Sequence, residues 1–289
     1  MAVAAEQRAN VVSGAIREIS HIATLPEITL KIVELVEDPK STAQDLHKVI
    51  SSDPALSTRI LKVVNSSFYG LPGQIASINR AIVMLGLNAV KNIAIAASLA
   101  KLFRGGELTG NFSAKDLWTH ANATAVCSKM LADSLKLGLS DEAFLAGLMH
   151  DIGIMVEMQF DRNKLTEVFE KLQAGATDML ALEEATFGAN HQDFGAGLCE
   201  RWKFPKSFAA VTGFHHRPLE LAQGSRTLVC LVHIADRIAA EVAGGFRQDL
   251  ANFDIEPAVR DEIKLTVEKL AEVKKALPEQ LKNAANMLG

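Results

Sequence analysis

The stretch AGLMHDIGIM, residues 146–155, places a histidine and an aspartate side by side within an apolar run. Such side chains are costly among apolar neighbours unless a partner satisfies them. Three explanations for His150 and Asp151 are open: a metal ion, a catalytic proton, or a hydrogen-bonded core. Adjacent residues of a helix point in different directions, so both reach one site only near a helix end or a bend, which Gly153 offers.

The composition is that of a globular protein with enough apolar residues for a large core. The 289 residues are 48% hydrophobic and carry a net charge of −4 without a long basic run, which argues against nucleic-acid or membrane-surface binding. No apolar stretch approaches the roughly 20 residues that span a bilayer, and the N-terminus lacks a signal-peptide core. Cys127, Cys199 and Cys230 lie among apolar residues, so we expect them to be buried. We therefore expect a cytoplasmic protein with no membrane or nucleic-acid partner.

Almost every segment has the residue spacing of an amphipathic α-helix, and strand signals are weak. In LPEITLKIVELVED, residues 25–38, apolar side chains recur every three or four positions. Further helices are predicted near residues 161–173, 177–188, 191–202, 205–214 and 225–242. Side-chain N-caps are expected at Ser41 (with Gln44 completing a capping box), Asp53, Ser77, Ser113 and Ser140. The sequence therefore predicts an all-α fold.

The segment RGGELTGN, residues 104–111, is the clearest linker, because three glycines in eight residues interrupt the helical pattern. We place a domain boundary there. Residues 1–110 are predicted to form an N-terminal helical bundle. Residues 111–289 are predicted to form a second helical part that continues into the C-terminal helices.

Six of the eight histidines crowd into this second part, while His21 and His47 in the first part receive no functional role. Several histidines on the apolar faces of different helices are hard to explain as core residues, because each needs its own partner. Imidazoles together with the carboxylates of Asp151 and Asp236 suit ions such as zinc, iron or manganese. The six histidines are His120, His150, His191, His215, His216 and His233.

The order of these residues resembles the ligand pattern of the HD superfamily of metal-dependent phosphohydrolases. That pattern is a histidine, then a His–Asp doublet, then a distant aspartate, which here are His120, His150–Asp151 and Asp236. His191 and the pair His215–His216 resemble the additional histidines of members with two-metal or larger centres.

The match to one branch is closer and covers roughly residues 20–245. Seven segments resemble, in order, the HDOD domain, the HD-related output domain of bacterial signalling proteins: LPEITLKIVELVEDP, SSDPALSTRILKVVNSSFYG, INRAIVMLGLNAVKNIAI, LWTHANATA, DEAFLAGLMHDIG, HQDFGAGLCERWKFP and FHHRP. The resemblance implies a multi-helical bundle, in which an N-terminal bundle packs on an HD-like core. It also implies a role in signal transduction, usually through protein contacts.

The resemblance implies a divalent metal centre of iron, manganese or zinc. One hypothetical ion is held by His120, His150, Asp151 and Asp236. A second is held by His191 and His215 with Asp151 bridging, and His216 either replaces His215 or stands behind the ligands. His233 is interpreted as a packed neighbour, with an orienting role toward Asp236 as the alternative.

Three functions remain open at this point. The favoured one is a regulatory module with a metal centre and a signalling protein as partner. The second is a metal-dependent phosphohydrolase for a nucleotide or phosphodiester, in which Asp151 would help to position water. Against it, Ile154 stands where many HD hydrolases have a lysine, and HHRPLELAQG lacks the Gly-Tyr-Pro motif of the cyclic dinucleotide branch. The third is a metal-free scaffold.

Overall fold

The computed structural model describes residues 2–19, 26–100, 102, 107–109, 112–243, 245–246 and 249–284, and most of them are helical. The all-α fold class expected from the sequence is confirmed. The predicted helices near 191–202 and 225–242 correspond to His191–Arg201 and Thr227–Val242. In chain order the helices are α1 (Ala2–Glu18), α2 (Glu27–Glu37), α3 (Ala43–Ser51), α4 (Pro54–Val64), α5 (Ile78–Leu85), α6 (Leu87–Leu99), α7 (Ala114–Ser134), α8 (Ser140–Met149), α9 (Ile152–Phe160), α10 (Arg162–Gln173), α11 (Met179–Phe187), α12 (His191–Arg201), α13 (Lys206–Phe214), α14 (Thr227–Val242), α15 (Pro257–Glu262) and α16 (Val267–Ala284), with single 3-10 turns at Pro218–Glu220 and Gln223–Ser225.

Side-chain caps begin several helices where the sequence predicts them. Asp53 accepts a hydrogen bond from the backbone N–H of Leu56 at 2.9 Å and so begins α4. Ser77 and Ser113 accept from the first turns of α5 and α7 in the same way. Each cap satisfies a backbone donor that the helix leaves unpaired.

Two of the predicted caps are wrong. α3 begins after Thr42, one residue beyond Ser41, and Thr42 and Asp45 form its capping box. Ser140 is the first residue of α8, and its hydroxyl donates to the carboxylate of Asp133 on α7. In the second case a tertiary contact engages the side chain that the local pattern assigned to the helix end.

Two groups of helices pack on one continuous core. In the first group α6 contacts α2, α4 and α5, and α3 contacts α5. In the second group α7 packs on α8 and α14, and α12 packs on α9 and α13. α6 joins the groups through α8, while α1 lies against α9 and α12. Buried apolar side chains form one connected cluster through both groups, so the second group is held rigidly around the histidines.

The predicted linker contains two short strands, β1 (Glu107–Thr109) and β2 (Phe112–Ser113). They pair antiparallel with Glu107 opposite Ser113. Residues 104–106, 110 and 111 of the linker lie outside the described residues, as does His21. The division into residues 1–110 and 111–289 stays a prediction.

Two further expectations from the sequence, on membrane spans and on cysteines, can be compared with the described helices. None of them combines the length and the apolar content needed to cross a bilayer. Cys127, Cys199 and Cys230 are free and buried, as expected from their apolar neighbours.

Candidate metal centre

The seven residues proposed as ligands converge on one point inside the second group of helices. Three helices and two helix junctions supply them, and six of the seven have no exposed surface. The exception is His216, whose side chain is 7% exposed. They are His120 on α7, His150 and Asp151 between α8 and α9, His191 at the start of α12, His215 and His216 after α13, and Asp236 on α14.

The His–Asp doublet lies at the junction of two helices, so both side chains can turn inward. α8 ends at Met149 and α9 begins at Ile152. The bend predicted at Gly153 therefore lies two to three residues earlier. Gly153 instead lets α9 approach α12, because a Cβ atom there would lie 1.8 Å from the backbone oxygen of His191. This close approach brings Asp151 and His191 to the same site.

One half of the centre joins the doublet to α7 and α14. The Nε2 atom of His120 lies 3.0 Å from Asp236 Oδ1 and 3.8 Å from Asp151 Oδ2. The Nε2 atom of His150 lies 3.1 Å from Asp151 Oδ2 and 3.8 Å from Asp236 Oδ1. Ligand atoms of His120, His150 and Asp151 lie within 4.8 Å of one another, and Asp236 Oδ1 lies beside both of these rings.

The other half shares Asp151 through its second oxygen. Asp151 Oδ1 lies 3.3 Å from His215 Nε2 and 3.9 Å from His191 Nε2. The Nε2 atoms of His191 and His216 are 3.1 Å apart. Ligand atoms of these four residues all lie within 4.8 Å of one another. The sequence left open whether His215 or His216 faces this half, and both do.

Acceptors fix the backs of two of the imidazole rings, those of His150 and His191, which decides which of their nitrogens faces the centre. His150 Nδ1 lies 2.7 Å from the carbonyl oxygen of Gly147. His191 Nδ1 lies 2.8 Å from the carboxylate of Glu183. Because these partners only accept hydrogen bonds, Nδ1 carries the proton and donates it. Nε2 is then the nitrogen that faces the centre and would bind a cation once the cation displaces its proton, the usual orientation behind metal-binding histidines.

Unpartnered polar atoms test whether a cation fits here. Within the described part of the chain, His150 Nε2, His215 Nε2 and both oxygens of Asp151 and of Asp236 are buried without a hydrogen-bond partner. Buried polar atoms nearly always have one. Some of these atoms lie 3.1 Å and 3.3 Å apart, yet they are not aligned as hydrogen bonds. Imidazole nitrogens and carboxylate oxygens are suitable ligands for zinc, iron and manganese, so the residues fit a divalent cation.

The charges of the centre support the same interpretation. Burial opposes ionisation of Asp151, but His150 and His215 hold its pKa well below the usual range. Burial also opposes protonation of His150, but the carboxylates of Asp151 and Asp236 raise its pKa to about 9. Burial lowers the pKa of His215, which keeps that ring neutral. Protons on histidine thus balance the carboxylates, and a divalent cation would replace those protons.

Three acidic residues near the centre are absent from the sequence prediction. Glu183 accepts from the ring and the backbone of His191. Glu157 is fully buried beside Glu183, and burial together with Glu183 raises its pKa well above the usual range. Burial together with Asp151 raises the pKa of Asp249 in the same direction. A signal existed for Glu157, a carboxylate within the apolar run IGIMVEMQF, whereas Asp249 follows no apolar pattern.

His233 and His47 take the places expected for residues outside the centre. His233 Nδ1 lies 2.6 Å from the backbone oxygen of His215, so His233 packs behind the end of α13. His47 Nε2 lies 3.2 Å from the hydroxyl of Ser51 on α3, in the first group of helices.

Comparison with known proteins gives the family. The model of the HDOD domain matches residues 22–218. This chain belongs to the HDOD family. Its match spans most of the chain and ends before Asp236, so the last proposed ligand lies beyond the matched residues.

Solved structures share the fold of this HDOD protein. An HDOD domain protein of unknown function from Geobacter sulfurreducens has a TM-score of 0.74 at 22% identity, over 96% of this chain and 99% of that one. A protein named as a candidate phosphohydrolase from Shewanella amazonensis SB2B has a TM-score of 0.75 at 22% identity, over 96% and 98%. One named as a candidate signal transduction protein from Marinobacter aquaeolei VT8 has a TM-score of 0.76 at 22% identity, over 99% and 66%.

A curated relative is an uncharacterized protein of Treponema pallidum (strain Nichols), 25% identical over 219 residues. The alignment covers 75% of this chain and 42% of the relative, so this chain spans less than half of that protein.

Proposed function

We propose that this HDOD protein is a regulatory module of bacterial signal transduction whose buried centre holds divalent cations and whose output passes through contacts with a signalling protein. The observation that carries the proposal is the convergence of seven proposed ligands, of which His150, Asp151, His215 and Asp236 have buried ligand atoms without a hydrogen-bond partner. The likeness in fold to the Marinobacter protein named as a candidate signal transduction protein supports the signalling context.

Two ions account for all seven ligands. The first is held by His120, His150, Asp151 and Asp236, and the second by His191, His215 and His216 with Asp151 bridging. The two oxygens of Asp151 face different halves of the centre, which is the arrangement that a bridging carboxylate needs. Iron, manganese and zinc all accept this mixture of imidazole and carboxylate.

Burial favours a structural or sensing role over turnover. A substrate needs a path to the cation and an open coordination position. Here only His216 has any exposed surface among the proposed ligands. Ile154, where related hydrolases place a lysine for phosphate, is apolar and fully buried. A centre of this kind fixes α7, α9, α12, α13 and α14 relative to one another, so that gain or loss of metal would alter the surface a partner contacts.

Elemental analysis of the purified protein tests the proposal. We expect about two ions per chain in the wild type, almost none in Asp151→Ala because both ions lose the bridge, and a partial loss in His120→Ala. His47→Ala removes a histidine outside the centre and should match the wild type. Equal metal in wild type and Asp151→Ala would overturn the proposal.

A phosphohydrolase is the second candidate, and the complete HD ligand set favours it. A bound divalent cation lowers the pKa of water and polarises phosphoryl oxygens. Asp151 would then position the water, and the name of the Shewanella neighbour agrees with this chemistry. A panel of nucleotides and phosphodiesters separates the candidates. Turnover that requires metal and disappears in Asp151→Ala supports the enzyme, and its absence from a metal-loaded protein supports the module.

A further inference from the structure

Asp249 is a buried carboxylate outside the HD ligand pattern. It follows α14 in the chain, and its side chain has no exposed surface. Among the described residues neither of its oxygens finds a hydrogen-bond partner. A carboxylate in that position costs several kcal/mol unless a proton or a cation accompanies it. Its surroundings therefore decide what it does.

The surroundings are the metal centre itself. Asp249 Oδ2 lies 3.4 Å from His216 Nε2. Ligand atoms of Asp249, His216 and Asp236 lie within 4.8 Å of one another. Asp236 belongs to the proposed first ion and His216 to the second, so Asp249 stands beside both halves of the centre.

Asp249 also stands on the side from which a ligand would arrive. The partly exposed side chain among the proposed ligands is that of His216, and this is the ring that Asp249 contacts. With a cation in the centre Asp249 would be ionised, and a phosphate group entering here would meet a carboxylate that carries the same sign of charge. It would also compete for the same cation with the same kind of oxygen donor.

Gly245 and Phe246, a few residues before Asp249, pack against the helix that carries His120. The ring of Phe246 is fully buried and packs 5.0 Å from Phe112 and 6.2 Å from His120, measured between ring centroids. Its backbone N–H donates to the carbonyl oxygen of Asp116 on α7 at 3.3 Å. Gly245 has φ +89°, and a Cβ atom there would lie 3.1 Å from the backbone nitrogen of His120. The connection after α14 is thus anchored at Phe246 on α7.

We infer that Asp249 is an internal anionic ligand of the metal centre and occupies the position where a phosphate group would bind. The inference rests on the proposed function, since it requires cations in the centre. It predicts that the metal-loaded wild type binds phosphate weakly. The class of ligand that the centre accepts once Asp249 is removed is inorganic phosphate or a phosphate ester.

Calorimetric titration of metal-loaded protein with inorganic phosphate tests the inference, together with the metal content and metal affinity of each variant. Asp249→Ala opens the position, and we expect phosphate to bind at least ~10-fold more tightly than to the wild type because the repulsion is gone. Metal should remain, held by the other seven residues, with a lower affinity. Asp249→Asn keeps the side-chain volume without the charge, so its phosphate affinity should lie between those of the wild type and Asp249→Ala. It serves as the test variant if Asp249→Ala does not fold.

Asp254→Asn is the matched control, since it removes an exposed carboxylate five residues further along the same connection. It should change neither phosphate nor metal binding. If the Asp249 variants hold metal with wild-type affinity and bind phosphate no more tightly, the inference is wrong while the metal centre stands. If the wild type itself holds no metal, the proposed function fails and the inference fails with it.

Discussion

The two groups of helices differ in how many of their polar side chains have hydrogen-bond partners. Both groups begin helices with side-chain caps, and in the first group Thr42, Asp53 and Ser77 bond in this way to the backbone at the starts of α3, α4 and α5. In the second group polar side chains lie in the core and face one another, as His120 and Asp236 do at 3.0 Å. Cap side chains use their oxygen atoms to bond the backbone, whereas histidines and aspartates of the core keep unpartnered atoms that can bind a ligand.

This difference separates stability from function. A cap or a turn bond stabilises the fold by about 1 kcal/mol whatever else is bound. A cluster of unpartnered nitrogen and oxygen ligands stabilises the fold only when a cation binds. That stabilisation grows with the logarithm of the metal concentration. Changes in the first group should therefore alter unfolding and spare metal binding, and changes around the centre should alter both.

The largest effect is expected where the backbones of α9 and α12 touch. Gly153→Ala would place a Cβ atom 1.8 Å from the carbonyl oxygen of His191, and a backbone atom in a packed core cannot move aside. We expect the free energy of unfolding to fall by at least ~3 kcal/mol and metal to be lost, measured by urea unfolding and elemental analysis. Gly14→Ala on α1 is the control, because nothing lies within 4 Å of the added atom. It should be neutral or slightly stabilising, and a similar response from both variants would contradict the prediction.

A smaller effect is expected behind the metal ligands. Glu183 is fully buried and fixes both the ring and the backbone of His191. Glu183→Gln keeps the shape but removes the charge that supports the imidazole, so metal affinity should fall about 10–100-fold, measured by competition with a chromophoric chelator. Glu184→Gln is the neighbouring control. Its carboxylate contacts Arg8 and Asn190 instead, so its metal affinity should stay within about twofold. Equal losses of metal affinity in both variants would mean that nearby negative charge, and not the contact of Glu183 with His191, sets the affinity.

Local sequence chemistry predicts most of the fold. Helix periodicity and N-cap residues act within a few positions, so α12 and α14 are predicted to within two residues of their bounds. Ser140 fails as a cap because its hydroxyl is engaged by Asp133 on another helix, and such a contact has no local signature. The break in the helix at His150 rather than Gly153 arises in the same way, from packing between α9 and α12.

The centre is predictable only as far as its residue types are distinctive. Histidines on apolar faces stand out in a sequence, and the HD pattern orders them. Glu157 was not predicted, although its sequence context, a carboxylate in an apolar run, carries a signal. Asp249 gave no such signal, because it joins His216 and Asp236 only through the folding of the chain. Charged residues outside apolar patterns become site residues through tertiary contacts that spacing does not encode.

A further prediction concerns the turn between α4 and α5 in the first group. Asn65 donates to the carbonyl oxygens of Leu61 and Ile75 at 2.8 Å and accepts from the N–H of Ile75 at 2.7 Å. Asn65→Ala removes all three bonds and should lower the free energy of unfolding by about 1–2 kcal/mol, measured by urea unfolding. Metal content should not change. Asn88→Ala, at an exposed position of α6, should be nearly silent in both measurements. Loss of metal in Asn65→Ala would show that the two groups of helices are not independent.

The smallest effect is expected from a buried charge in the first group. Lys91 is 3% exposed, and its ammonium donates to the Ser41 hydroxyl at 2.7 Å and to the carbonyl oxygen of Leu35. Burial lowers its pKa below the ordinary 10.5, so above the lowered value the unfolded chain binds the extra proton. Stability then rises with pH until the pH passes the ordinary value.

Lys91→Met lacks this titration, so the unfolding free energy of the wild type should rise relative to that of the variant as the pH increases toward the ordinary pKa of 10.5, by less than ~1.4 kcal/mol for each unit by which the pKa is lowered. Ser98→Ala on the same helix removes a buried hydroxyl without a charge and should keep a constant difference from the wild type. If the difference in unfolding free energy between the wild type and Lys91→Met is also constant with pH, the two oxygen acceptors compensate fully for the burial of the ammonium. A backbone carbonyl and a hydroxyl would then stabilise a buried cation in the first group as carboxylates and imidazoles are proposed to do in the second.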